Sequence, residues 1–98
     1  MKQVVVVDSD LEDLIPGFLA KRQEDIAAVL TAIQTNDYET IRIIGHTLKG
    51  IGGGYGFDQL TELGAALELA GKRQEAAPAR ELVQAMKDYL AVIEIKFE

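Results

Sequence analysis

Residues 38–57 read YETIRIIGHTLKGIGGGYGF, and their apolar side chains have the spacing of an amphipathic helix. A helix turns about 100° per residue, so these side chains fall within a sector of roughly 80°. The resulting core stripe contains Ile41, Ile44, Leu48, Ile51 and Tyr55. The stretch therefore predicts a helix from about Tyr38 to Gly53 that packs one face against a core.

Three other stretches of the chain have the same helical periodicity. They predict a helix after Pro16, a helix from Asp58 to Gly71-Lys72 and a helix from near Pro78, and a short helical turn at 10–14 precedes the first of them. Arg22 interrupts the apolar stripe of the first of these helices. Because the connections are short, we expect antiparallel neighbours. The predicted fold class is all-α, an antiparallel up-down four-helix bundle with a short extra N-terminal helix or arm.

The β-branched run Val4–Val7 is typical of a strand, but we find no second segment that could pair with it. Followed by Asp8 and Asp10, it also resembles the first strand and acidic pocket of a receiver domain. A receiver needs four more parallel strands alternating with helices, which this sequence lacks. We therefore interpret residues 1–98 as one domain, with 1–9 as an extended arm and 10–95 as the helical bundle.

The composition limits the classes of site and partner. The chain has 98 residues and a net charge of −6, so phosphate backbones and anionic membrane surfaces repel it. It has no cysteine and a single histidine, which excludes disulfides, thiolate sites and multi-histidine metal sites. No apolar run is long enough for a membrane span or a signal peptide. We expect a cytoplasmic protein that binds other proteins rather than nucleic acid or membranes and, with one complete bundle, a monomer.

The single histidine, His46, lies roughly 170° from the centre of the core stripe and should face solvent. The same outer face contains Arg42, Ile43, Lys49, Gly50 and Gly53. Neutral imidazole is a nucleophile near cellular pH, and Lys49 at i+3 can reach the oxygens of a phosphoryl group on the ring. Each helical glycine costs roughly 0.5–1 kcal/mol relative to alanine. We attribute the glycines of this helix to close approach by a docked protein.

The segment His46-Thr47-Leu48-Lys49-Gly50, with Gly56 six residues on, resembles the H-x-x-K-G…G signature of histidine phosphotransfer domains. The resemblance extends to the order of the predicted helices and spans nearly the whole chain. It implies a phosphorelay intermediate that accepts a phosphoryl group on His46 from a receiver's phospho-aspartate, or from a histidine kinase. The group then passes to an aspartate of a response-regulator receiver. In this family the lysine, here Lys49, steadies the phosphoryl group, and the glycine, here Gly50, keeps the histidine accessible.

The resemblance also implies response-regulator receiver domains, a hybrid histidine kinase or both as partners. Phosphoryl transfer depends mainly on positioning and charge stabilisation. The chain therefore needs no cofactor of its own, and the receiver is expected to supply Mg²⁺. Neither G-x-x-x-x-G-K-[ST] nor G-x-G-x-x-G occurs in the sequence. We expect a phosphotransfer intermediate without kinase activity, and not an enzyme.

Two other functions stay open. His46 could act as the general base of an enzyme, but the sequence predicts neither an orienting carboxylate on the same face nor a pocket. The chain could instead be a non-catalytic adaptor bundle that binds partners through Ile43 and the glycine-rich face, with His46 incidental. Incubation with a phosphorylated receiver distinguishes these functions from phosphotransfer.

Overall fold

The computed structural model describes residues 2–98, which form four helices flanked by two short strands. The strands and helices are β1 (Gln3–Val7), α1 (Ile15–Gln34), α2 (Tyr38–Ile51), α3 (Asp58–Arg73), α4 (Ala76–Val92) and β2 (Ile93–Phe97). Two 3-10 turns, Ser9–Leu14 and Gly53–Tyr55, precede α1 and follow α2. The predicted four-helix architecture is confirmed, as is the helical turn before α1. Within the described chain, no helix is both long enough and apolar enough to cross a membrane.

The ends of α2 follow from local chemistry. At the start, the carboxylate of Asp37 accepts a hydrogen bond from the backbone N–H of Thr40 at 3.1 Å, which caps the helix. The helix ends at Ile51, two residues before the predicted Gly53, and the chain continues into the Gly53–Tyr55 turn. This turn ends at Gly56, whose φ of 88° suits glycine best. The site helix is therefore shorter than predicted.

The core contains the predicted stripe of α2. Ile41 and Leu48 are completely buried, and the remaining members of the stripe are partly buried against the same cluster. The ring of Phe18 on α1 stacks on Tyr55 and on Phe57, with centroid distances of 4.4 and 5.0 Å. This aromatic contact joins α1 to the segment between α2 and α3.

Arg22, which interrupts the apolar stripe of α1, does not lie at the surface. Arg22 is 3% exposed, and its guanidinium carbon lies 4.6 Å from the centroid of the Phe18 ring. Its Nε atom lies 2.9 Å from the carboxylate of Asp25. Burial raises the pKa of Asp25, and the charge of Arg22 opposes that rise. The guanidinium of Arg22, paired with Asp25 and placed over an aromatic ring, thus lies at a core position where the periodicity predicts an apolar side chain.

The fold is mostly helical, as predicted, but Gln3–Val7 of the predicted arm forms a strand, so the all-α class omitted a strand pair. Met1, the first residue of that predicted arm, lies outside the described residues. β1 pairs in parallel with β2, with Val5 opposite Ile95 and Val7 opposite Phe97. The partner strand was not predicted because Ile93 continues the apolar periodicity of α4. The backbone instead becomes extended at Ile93, with φ −72° and ψ 143°. The helical bundle consequently ends at Val92 and not at residue 95.

Candidate functional site around His46

His46 lies on the outer side of α2, where its side chain is 66% exposed. This agrees with the solvent-facing position predicted from the helical wheel. The ring is nonetheless held in place, because its Nδ1 atom lies 2.7 Å from Oε2 of Glu68 on α3. This contact uses Nδ1, so Nε2 is the ring nitrogen that Glu68 does not contact.

Glu68 connects His46 to Lys49. Its other oxygen, Oε1, accepts a hydrogen bond from Nζ of Lys49 at 2.7 Å. The Glu68 side chain is 9% exposed and the Lys49 side chain is 42% exposed, so the carboxylate lies beneath two accessible groups. We call Lys49, Glu68 and His46 the site cluster. The expectation that no carboxylate orients His46 was wrong.

Helical glycines make the site cluster possible by bringing α2 and α3 into backbone contact. A Cβ atom on Gly45 would lie 2.8 Å from the carbonyl oxygen of Gly64 and 2.8 Å from Cα of Glu68. A Cβ atom on Gly71 would lie 2.8 Å from Cα of Arg42. No such Cβ fits between the helices. The close approach that we attributed to a docked protein is, at Gly45, an approach by α3 within the same chain.

The charge of Glu68 determines which nitrogen of His46 carries hydrogen. Hydrogen bonds from Lys49 and from His46 lower the pKa of Glu68 to about 2, and the nearby charge of Lys72 acts in the same direction. Glu68 is therefore a carboxylate at neutral pH, and a carboxylate can only accept. Nδ1 of His46 must then donate, so in the neutral ring the lone pair is on the outward Nε2.

The lowered pKa of Glu68 predicts a pH-dependent contribution to stability. Its folded-state pKa of about 2 lies below the ordinary value of 4.5. The carboxylate thus stabilises the fold above about pH 4.5, and this contribution is lost as the pH falls from there towards 2. We expect Glu68→Gln to lose less stability than the wild type over this range, measured by urea unfolding at several pH values.

A matched control for this prediction is Glu62→Gln, which changes an exposed glutamate of α3 outside the site cluster. It should retain the wild-type slope of stability against pH. Equal slopes for Glu68→Gln and the wild type would show that Glu68 is not held in its charged form by the fold.

The other residues predicted for this face have different surroundings. The guanidinium of Arg42 forms an ion pair with Glu39, one turn earlier on α2. Ile43 is 49% exposed, which is unusual for a large apolar side chain. A Cβ atom on Gly50 would have no neighbour within 4 Å, so this glycine leaves open space beside His46. Gly53 is also exposed, but it belongs to the 3-10 turn after α2 and not to the helix.

A family model described as the Hpt domain matches residues 13–95. The chain belongs to the Hpt domain family. The chain matches none of the curated proteins and none of the solved structures with which it was compared. The match includes all four helices of this Hpt domain and ends at Ile95 within β2, whereas β1 lies outside it.

Membership of the Hpt domain family defines the general role of this chain. Hpt domains are phosphotransfer modules of two-component phosphorelay signalling, rather than enzymes in the usual sense. They work with receiver and histidine kinase components. A phosphotransfer role in two-component signalling therefore follows for this Hpt domain from its family.

Glu68 was not predicted as a site residue. It lies 22 positions after His46, in a helix where its neighbours Leu67 and Leu69 suggest only an amphipathic pattern. A signal was present in Gly45 and Gly64, two glycines within predicted helices, since such glycines often permit close helix contact. The residue one turn after Gly64 is Glu68, and the residue after Gly45 is His46.

Proposed function

We propose that Nε2 of His46 is the phosphoacceptor of this Hpt domain. It would take the phosphoryl group from a receiver's phospho-aspartate, or from a histidine kinase, and pass it to an aspartate of a response-regulator receiver. The observation that carries the proposal is the 2.7 Å contact between Nδ1 of His46 and Glu68 beneath an exposed ring. This contact favours the tautomer whose lone pair points outward, which is the form a nucleophile needs.

The transfer balances without loss of a proton from the ring. The Nε2 lone pair attacks phosphorus, the N–P bond forms, and the bond from phosphorus to the aspartate oxygen breaks with release of the carboxylate. The ring then carries positive charge with hydrogen still on Nδ1, and the Glu68 carboxylate stabilises it. In the second step the receiver's aspartate attacks phosphorus, the N–P bond breaks and neutral imidazole leaves.

Lys49 has a supporting role in this proposal. Its ammonium donates to Oε1 of Glu68, whose Oε2 contacts Nδ1 of His46, so in the unphosphorylated chain it lies on the Glu68 side of the ring. The Lys49 side chain is 42% exposed and would turn from Glu68 towards a phosphoryl group on Nε2. A cation at this position can bind phosphoryl oxygens and reduce the repulsion from Glu68. Mg²⁺ would come from the receiver, and the chain itself would require no cofactor.

Two finer points of organisation belong to the same proposal. We propose the antiparallel up-down order for the bundle, supported by α2 and α3, whose contacts occur in opposite order along the chain. Gly71 lies against Arg42, and Gly64 lies against Lys49. We also propose a cytoplasmic location, where the ATP that supplies the phosphoryl group to such relays is available.

The decisive experiment incubates the chain with a phosphorylated receiver and Mg²⁺ and measures acid-labile phosphate on the chain. We expect transfer from the receiver and no labelling with ATP alone. Labelling with ATP alone would contradict the absence of kinase activity. Absence of transfer from a panel of phosphorylated receivers, with the chain folded, would favour the adaptor function instead.

The glycine at position 50 tests whether receivers dock at this face. Gly50→Gln replaces a helical glycine by a better helix former and should raise stability by roughly 0.5–1 kcal/mol. A side chain here projects towards the preceding turn and the His46 ring. We therefore expect a higher melting temperature together with slower transfer, and Gly50→Ala should slow transfer less.

Melting is measured by circular dichroism, and transfer by the rate at which label leaves the phosphorylated receiver. A stabilised Gly50→Gln variant that transfers at the wild-type rate would argue against docking at this face, even if His46 accepts phosphate. A destabilised variant would contradict the open space found around Gly50.

A further inference from the structure

The strand β2 has an edge at which no other strand of residues 2–98 pairs. At its end, the Glu98 N–H donates to the Val7 carbonyl, and the Glu98 carbonyl accepts from the Ser9 N–H, both at 2.9 Å. Alternate residues of a strand direct their backbone groups to the same neighbour. Glu94 and Lys96 therefore also face β1, whereas the backbone groups of Ile93, Ile95 and Phe97 face away from it.

The opposite edge of the sheet, along β1, has other parts of the chain close to it at two points. Gly56 lies so near this edge that a Cβ atom on it would be 2.7 Å from the Val6 carbonyl oxygen. The side chain of Gln3 donates to the side chain of Gln59 on α3 at 3.0 Å. Gly56 and Gln59 thus obstruct the edge along β1, which makes the edge along β2 the more accessible one for a further strand.

There is room beside this edge because the bundle covers β1 more fully than β2. The side chains of Val5 and Val7, on the bundle side of β1, are buried, with 6% and 1% exposure. Phe97 is opposite Val7 in the register and faces the same side of the sheet, yet it is 41% exposed. Ile93 and Ile95 pack partly against the core, so the bundle leaves mainly the Phe97 end of β2 uncovered, and a second strand would meet exposed apolar surface at that end.

The sequence of β2 is complementary to itself. If two copies of β2 run antiparallel and centre on Ile95, Ile95 lies opposite the partner's Ile95 and Ile93 lies opposite the partner's Phe97. Glu94 then lies opposite the partner's Lys96, and this pair occurs twice because the arrangement has two-fold symmetry. We propose that a second copy of this chain binds here, so that two sheets join into one of four strands.

The backbone pattern agrees with this register. Residues 93, 95 and 97, whose backbone groups face outward, fall opposite one another and form the hydrogen-bonded pairs. The Ile93 N–H is already used by the Tyr89 carbonyl, so about four hydrogen bonds would join the copies. Glu94 and Lys96 fall in the closer, non-hydrogen-bonded pairs, where opposite charges attract best.

Charge also selects this register over its neighbours. If the partner strand slides by two residues in one direction, Glu94 lies opposite the partner's Glu98 and Lys96 opposite the partner's Lys96. A slide in the other direction places Glu94 opposite the partner's Glu94. Like charges directly opposite each other are destabilising. The expectation of a monomer rested on one complete helical bundle and did not include this strand.

A charge-swap experiment tests the dimer. Glu94 and Lys96 are exposed and lie opposite Val4 and Val6 within the protomer, so changing their charge should leave each protomer folded. We expect the untagged chain to dimerise in analytical ultracentrifugation. Lys96→Glu and Glu94→Lys should each raise the dissociation constant about tenfold or more, and the double variant, which restores opposite charges, should recover dimerisation.

Amide hydrogen exchange provides a second measurement that needs no substitution. Protection of the Ile95 and Phe97 amides should increase with protein concentration, because these groups bond only to the second copy. The Lys96 amide, which faces β1, should be protected at all concentrations. A chain that stays monomeric up to about 1 mM, where even weak complexes form, would overturn the proposal. A dimer unaffected by the charge swaps would overturn it as well.

Discussion

Replacing His46 by glutamine is expected to abolish acid-labile phosphorylation of this Hpt domain by a phosphorylated receiver. The chain has one histidine, so no second imidazole can replace it. The His46 side chain is 66% exposed, and such surface substitutions usually change stability by about 0.5 kcal/mol or less. Lys49 would still hold Glu68 in place. Loss of labelling would therefore report on chemistry and not on unfolding.

The measurement combines receiver-dependent labelling with thermal melting by circular dichroism. Thr47→Ala is a matched control, because Thr47 is the next residue of α2, is exposed, and uses its hydroxyl to bond the Ile43 carbonyl at 3.1 Å. This variant should remain fully labelled. If His46→Gln retained acid-labile phosphate, the phosphoacceptor would have to lie elsewhere in the chain.

The substitution Gly45→Ala is expected to give the largest loss of stability of the variants considered. Its Cβ would lie 2.8 Å from the Gly64 carbonyl oxygen and from Cα of Glu68, and these backbone atoms can move only if α2 and α3 separate. Inserting an extra methyl into a close-packed contact typically costs about 1–3 kcal/mol. Because His46 and Glu68 face each other across this contact, transfer should also become slower.

Gly50→Ala in the same helix provides the control with opposite sign. No atom lies within 4 Å of its added Cβ, so the change should stabilise the protein by roughly 0.5–1 kcal/mol. Urea unfolding of both variants measures the difference directly. If Gly45→Ala were as stable as Gly50→Ala, the close contact of α2 with α3 would be in doubt.

The periodicity of the sequence determined the helices because it is a local property of the chain. Ile41 and Leu48 are buried and His46 is exposed because each residue advances a helix by a fixed angle, whatever surrounds the helix. The H-x-x-K-G pattern around His46 lies within one helix, so it can be recognised without knowing what packs against that helix. The family match to residues 13–95 agrees with that resemblance.

Only the tertiary structure decided the features that join distant segments. Glu68 orients His46 because two helices meet at Gly45 and Gly64, and no spacing within either helix specifies that meeting. β1 is a strand because Ile93–Phe97 becomes extended after α4 and pairs with β1. Ile93, the first residue of β2, nevertheless continues the helical pattern of α4. Periodicity tells which face of an element is apolar, but which element covers that face depends on how the whole chain packs.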